Sequence, residues 1–200
     1  MDEPGAPGDG PTSGASRGSG RRRDPEGTRR ALLDAGAVVA AERGLTKLSL
    51  DRVAAEAQVA KGSLLHHFGT RESYLVALHR SWHDRVYDEV VAAAGEEPPG
   101  RRRLLLAATR YLDICRRDHL VRAVLFGARG EPGLAEEIVR RNEQFAAWTR
   151  DDFAAMGYDE PEATARVFLG AVVEAAQVEH ASGRPRPDIR RGLEQLLPPP

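Results

Sequence analysis

The sequence predicts an all-α protein, and three observations carry that expectation. Apolar residues recur at i, i+3, i+4 and i+7 along most of the chain rather than in strict alternation. Several of these stretches open on a capping residue: Asp24 before Pro25, Ser49 before Leu50, Thr70 before Arg71. No alternating β-branched run and no repeat period is visible.

Taken in order, residues 1–20 are mostly Gly, Pro, Ser, Ala and Asp, a composition that cannot repay the entropy of ordering. A disordered tail is expected over 1–23, ending in the triplet Arg21–Arg23, either a solvated charge run or a DNA-seeking arm. The first helix starts at Asp24-Pro25. It carries Leu32, Leu33, Ala35, Val39 and Ala40 as one stripe, and Gly44 closes it. Ser49 caps a second helix with Leu50, Val53, Ala54 and Ala57 at helical spacing. A tight turn leads to a short third helix ending near Phe68, and Thr70 caps a fourth that runs to about Ala94.

The stretch GEEPPG (95–100) breaks the pattern. Beyond it helices are expected at 101–117, 119–128, 134–156, 161–181 and 188–197, giving about nine in all. The domain division that follows is 1–23 as tail, 24–70 as a small three-helix unit and 71–200 as a larger helical unit.

Bulk properties narrow the function classes. With 41% hydrophobic residues the chain can bury a core, and a net charge of −1 argues against a polybasic protein. A single cysteine, Cys115, forbids an intramolecular disulfide and suits a reducing compartment. The N-terminus lacks a basic-then-apolar signal pattern, and runs such as LLLAA (104–108) are too short to span a bilayer, so a cytoplasmic location is expected. No Gly-rich phosphate loop, G-x-S-x-G, HExxH or CxxC pair occurs, so no enzyme is expected.

The stretch QVAKGSLLHHFGTRE (58–72) is the most informative. On a 100° wheel Leu64 and Phe68 share the inner face, which leaves Gly62 and His66 opposite, flanked by Ser63 and Leu65. A helical glycine costs about 1 kcal/mol against alanine, so close approach by another backbone is a reason for it. Two short helices joined by a tight turn, the second with a small polar face, is the helix-turn-helix plan, whose second helix enters the DNA major groove. Lys61 suits a phosphate or a guanine edge, Ser63 a base, and His66 and His67 either. Local charge agrees: residues 21–80 hold 11 Lys and Arg against 7 Asp and Glu, while both flanking regions are net negative.

Residues 28–78 resemble the N-terminal domain of the tetracycline-repressor (TetR) family of bacterial transcription regulators. The features that carry the likeness are the ERG close of the first helix, the Ser-capped SLDRVAAEA, the recognition helix VAKGSLLHHF and the TRESYL start of the fourth. The resemblance implies DNA contacts at Ser49, Lys61, Gly62, Ser63, Leu65, His66, His67 and Arg71, the last standing where the family has a phosphate-binding lysine. Arg29 on the first helix is a further candidate. Three positions depart from the pattern: Gln58 replaces the turn glycine, Ala60 a Ser or Thr cap, and Leu65 a tyrosine.

The resemblance further implies a homodimer on a palindromic operator, most simply a repressor, and a small-molecule effector bound in the larger unit. No cofactor or membrane partner is expected. Pocket candidates are His79, Trp82, His83, Tyr111, Cys115, Phe126, Phe145 and Trp148, each of which could equally be core. His79 and His83 stand at i, i+4, but a third metal ligand on that face is not obvious, so no metal is expected. Dimer candidates are Val167, Gly170, Ala171, Glu174, Ala175, Ile189 and Leu193. A helical ligand- or protein-binding module whose reading head has degenerated remains the alternative.

Overall fold

The computed structural model describes residues 24–118, 131 and 133–199. Among them the chain forms α1 (Pro25–Arg43), a short 3-10 turn (Leu45–Lys47), α2 (Leu50–Glu56), α3 (Lys61–Phe68), α4 (Arg71–Ala94), α5 (Arg101–Arg117), α6 (Leu134–Ala155), α7 (Pro161–Ser182) and α8 (Pro187–Gln195). No strand occurs among the described residues. The expected tail and the helix expected at 119–128, with Phe126, lie outside them.

The expected caps hold the first helices. The Asp24 carboxylate accepts from the Gly27 amide at 2.9 Å, and the Thr70 hydroxyl accepts from the Ser73 amide at 3.1 Å. Ser49 does the same for Arg52 at a longer 3.4 Å. Leu32, Val39, Leu48, Val53, Leu64 and Phe68 are buried and make the core of the N-terminal helices. Tyr74, on the second turn of α4, closes that core. Its ring meets Phe68 edge-on at 5.0 Å and its hydroxyl donates to the Leu32 carbonyl at 2.7 Å. Gly36 makes the crossing possible, because any Cβ there would collide with the Tyr74 hydroxyl.

α4 has 24 residues, a rod of roughly 36 Å. Its N-terminal turns pack on α1 and α3, and the remainder packs on α5 and α6. α5, α6 and α7 complete the bundle, with α6 and α7 paired along much of their length. Buried carboxylates pin its corners. Asp152 accepts from the Gly100 amide at 2.8 Å and from Arg103 at 2.7 and 2.9 Å, capping α5 from the side. Glu179 accepts from Arg190 and from the Arg186 amide, which fastens α8 to α7.

Among the described residues no helix is long and apolar enough to cross a membrane.

Candidate nucleic-acid interface and ligand cleft

The outer face of α3 follows from what its inner face must bury. Leu64 and Phe68 face the core, which turns Gly62, Leu65 and His66 outward, with Ser63 and His67 at the margins. Leu65 remains 41% exposed, unusual for its type. A Cβ on Gly62 would meet nothing within 4 Å, so no neighbour in this chain requires a glycine there. The space it leaves is open to an incoming partner.

Charge is held close to this face. The Arg29 guanidinium lies 4.8 Å over the Phe68 ring, which fixes it beside α3. Lys61 is exposed and pairs with Asp51 of α2 at 2.8 Å, an ion pair that a phosphate could displace. Ser49 is half-buried, with its hydroxyl already engaged as the α2 cap.

The turn before α3 shows what the departures do. Gln58 has φ 55°, the left-handed conformation that favours glycine. Ala60 caps α3 with no side-chain hydrogen bond.

Arg71 does not stand as expected. Its guanidinium is half-buried and turned inward, donating to the Leu48 carbonyl at 3.1 Å, the Leu45 carbonyl at 2.8 Å and the Glu131 carboxylate at 2.8 Å. Every nitrogen is thus engaged within the chain, and the side chain ties α4 to the 3-10 turn and to the segment before α6. Sequence alone gave no sign of this because Glu131 is sixty residues away.

A second concave site lies farther along α4. His79 and His83 form its floor, with Tyr111 from α5, Ile138, Asn142 and Phe145 from α6, and Leu169, Gly170, Val173 and Gln177 from α7. The cleft measures about 350 Å³, with Arg166 and Glu174 also on its lining. His79 is 3% exposed and His83 8%, and the two rings lie 4.4 Å apart. The Nδ1 atoms of both are buried without a hydrogen-bond partner among the described residues. Burial pushes His79 down to about 4, helped by the charge of Arg141. Burial, the other imidazole and Arg141 hold His83 well below the usual histidine range. Both rings are therefore neutral at pH 7. Arg141 is itself held by Glu137 at 2.9 Å, Asp84 at 2.6 Å and Gln144 at 2.9 Å.

The other pocket candidates divide. Phe145 and Tyr111 line the cleft and also, with Trp148, a small apolar cavity of about 40 Å³ beside it. Trp82 is not a lining residue: it packs behind His83 and donates its indole N–H to Asp118 at 3.1 Å. Cys115 is not one either. It is fully enclosed, and burial pushes its thiol up to about 12. Sequence reasoning missed Ile138, Asn142, Leu169, Val173 and Gln177. Their only signal is i, i+4 spacing on facing helices, which ordinary core residues share.

The dimer candidates divide too. Val167 is 74% exposed, Gly170 and Glu174 are exposed, and Ala171 and Ile189 are half-buried. Ala175 and Leu193 are buried within their own chain and offer nothing to a partner. They point inward because α7 and α8 each bury one stripe against the bundle.

The model of the bacterial regulatory proteins of the tetR family matches residues 32–78. The multidrug binding protein EbrR, solved with imidazole, is 27% identical, superposes with a TM-score of 0.71, and covers 92% of this chain and 97% of its own. A transcriptional regulator from Rhodococcus sp. Rha1 is 25% identical with a TM-score of 0.72, covering 87% and 94%. Residues 32–78 thus carry the signature of the tetR-family regulators, and the chain as a whole shares the fold of these solved proteins. AibR, solved with isovaleryl coenzyme A and operator DNA, shares the fold at 22% identity, a TM-score of 0.69, and 86% and 99% coverage. No curated protein matches the chain. The TetR-family match ends at Leu78, one residue before His79. The family signature thus covers the α1–α3 head and the start of α4 and stops at the edge of the cleft.

Proposed function

We propose that this chain is a ligand-responsive repressor of the TetR family. As a homodimer it places two copies of α3 in successive major grooves of a palindromic operator, and a small molecule in the α4–α7 cleft releases it. The observation that carries the reading is that one helix serves both sites. Arg71, in the first turn of α4, holds the carbonyls of the 3-10 turn beside the head, and two turns later His79 and His83 floor the cleft. A ligand that prefers one placement of α4 would shift the heads with it, provided that its affinities for the two placements differ. AibR, which shares the fold, is solved in complex with isovaleryl coenzyme A and operator DNA, and that pairing of a small molecule with DNA supports the reading.

In this reading Lys61, Gly62, Ser63, Leu65, His66 and His67 meet DNA, with Arg29 supplying charge beside them. Two-fold DNA calls for a two-fold protein. The exposed side of α7 around Val167 is the best surface for a partner copy, which would also roof the cleft mouth at Gly170 and Glu174.

The test is selection from randomised duplex DNA followed by affinity measurement across salt concentrations. A palindrome should be recovered. Lys61→Ala should weaken binding to all DNA and lower the salt slope by about one. Asp51→Asn should act the other way, because it frees Lys61 and removes a negative charge from the same face. Selection that recovers no motif would favour a head that has lost its code.

A further inference from the structure

The cleft has an unusual floor: two neutral imidazoles side by side, each with a buried Nδ1 that nothing in the described chain satisfies. An unpaired buried polar atom costs about 1–3 kcal/mol, and here the two belong to neighbouring residues that line one cavity. A neutral imidazole has one N–H and one bare nitrogen. A pair of them can therefore offer a donor from one ring and an acceptor from the other. The group that answers both at a single atom is a hydroxyl, which donates one hydrogen bond and accepts others.

The remaining walls fix the body of the ligand. Tyr111, Ile138, Phe145, Leu169 and Val173 present apolar surface, Asn142 and Gln177 add neutral polar groups, and about 350 Å³ admits a molecule the size of two fused rings. At the histidine floor charge on the ligand is disfavoured in both signs, the charged residues of the lining, Arg166 and Glu174, being exposed ones. A cation would face Arg141, whose field already opposes protonation of both histidines. A carboxylate at the floor would find the Arg141 guanidinium already held by Glu137, Asp84 and Gln144, and would have to protonate a buried imidazole to gain a partner there. Among the described residues no group of three His, Cys, Asp or Glu side chains is placed to hold a metal ion, so direct hydrogen bonding is the chemistry available to the pair.

We propose that the α4–α7 cleft takes an uncharged, largely apolar molecule bearing a phenolic or alcoholic hydroxyl, and that His79 and His83 together recognise that hydroxyl. The proposal rests on the cleft being the effector site and adds the chemical class of the effector.

Equilibrium dialysis of the full-length protein against matched probes tests it: 2-naphthol, 2-methylnaphthalene, 2-naphthoate and 2-naphthylmethylamine. 2-Naphthol should bind at least about tenfold more tightly than the other three, the preference expected from one or two hydrogen bonds. His79→Phe and His83→Phe should each reduce 2-naphthol to the level of 2-methylnaphthalene and leave 2-methylnaphthalene unchanged. His83→Gln, which keeps a donor and an acceptor, should retain part of the preference, and circular dichroism identifies any variant that has failed to fold. Equal binding of 2-naphthol and 2-methylnaphthalene, tightest binding of 2-naphthoate, or no binding by any probe would each overturn the proposal. DNA affinity measured with and without 2-naphthol separates this result from the effector reading. Tight binding that leaves DNA affinity unchanged would overturn the effector reading while the cleft chemistry stands.

Discussion

Gln58 shows how much one residue of the turn decides. Its φ of 55° places an L-side chain in the left-handed region, at a cost of about 1–2 kcal/mol. Gln58→Gly removes that cost but frees the unfolded chain, so a net gain of about 0.5–1 kcal/mol is expected. The thermal midpoint should rise by about 1–4 °C, readable by differential scanning calorimetry. No rise would mean that the Gln58 side chain contributes contacts that offset the strain. At this scale the sequence was informative where neighbours in the chain set the geometry. Gln58, Ala60 and Gly62 all stand as their local pattern implies. Arg71 was not legible, because its role depends on two carbonyls of the 3-10 turn and on a carboxylate remote in sequence.

Among the elements, α4 has the largest share of consequences. Its caps and stripe were readable, as were those of α1 and α2, because short-range periodicity and capping specify a helix locally. The cleft was only half readable. The His79–His83 spacing stood out, whereas the walls from α6 and α7 are apolar residues that cannot be told from core until the helices are placed. The same pair gives the protein a pH-dependent stability. The groups around it are Tyr111, Glu137, Arg141, Arg166 and Glu174 on the facing helices, and Asp84 on α4 itself. His79 titrates near 4 in the folded chain and near 6.5 when unfolded. Between those values the unfolded chain binds the proton that the folded chain refuses, so stability is complete above about pH 6.5 and falls as pH drops toward 4. By pH 5 His79 alone should cost about 2 kcal/mol, and His83 adds to it. Urea unfolding at pH 7.5 and pH 5 measures the slope. His79→Gln should flatten it, and an unchanged slope would place the acid sensitivity elsewhere.

For the whole molecule, the question is how the bundle and the head hold one another. Links visible among the described residues include the Tyr74 hydroxyl on Leu32, the fit of Tyr74 over Gly36, and the Arg71 clamp reaching Glu131. The first two bind α4 to α1 firmly. The third reaches back to Glu131, in the segment that leads into α6. Glu131→Gln should therefore loosen the head without unfolding the bundle. Hydrogen exchange should accelerate at the amides of residues 45–48 and stay unchanged in α6 and α7. Unchanged exchange at 45–48 would show that the two carbonyl bonds of Arg71 hold the turn unaided. The overall architecture of a short helical head on a larger bundle was legible from the breaker at 95–100 and the capped stretches before it. The division of roles along α7 was not, since Gly170 and Glu174 line the cleft while Ala175 is buried.

Cys115 brings a practical consequence. It is the only cysteine in the chain, it is enclosed, and its thiol stays protonated at any working pH. Maleimides and nitroxide reagents should pass it by, so no cysteine-free background has to be engineered first. A cysteine placed at exposed Ala55 on α2 would be the sole labelling handle per chain. In a two-chain assembly one such label on each copy becomes a molecular ruler. It would give the spacing of the two heads in solution directly, with DNA, with a ligand, or with neither.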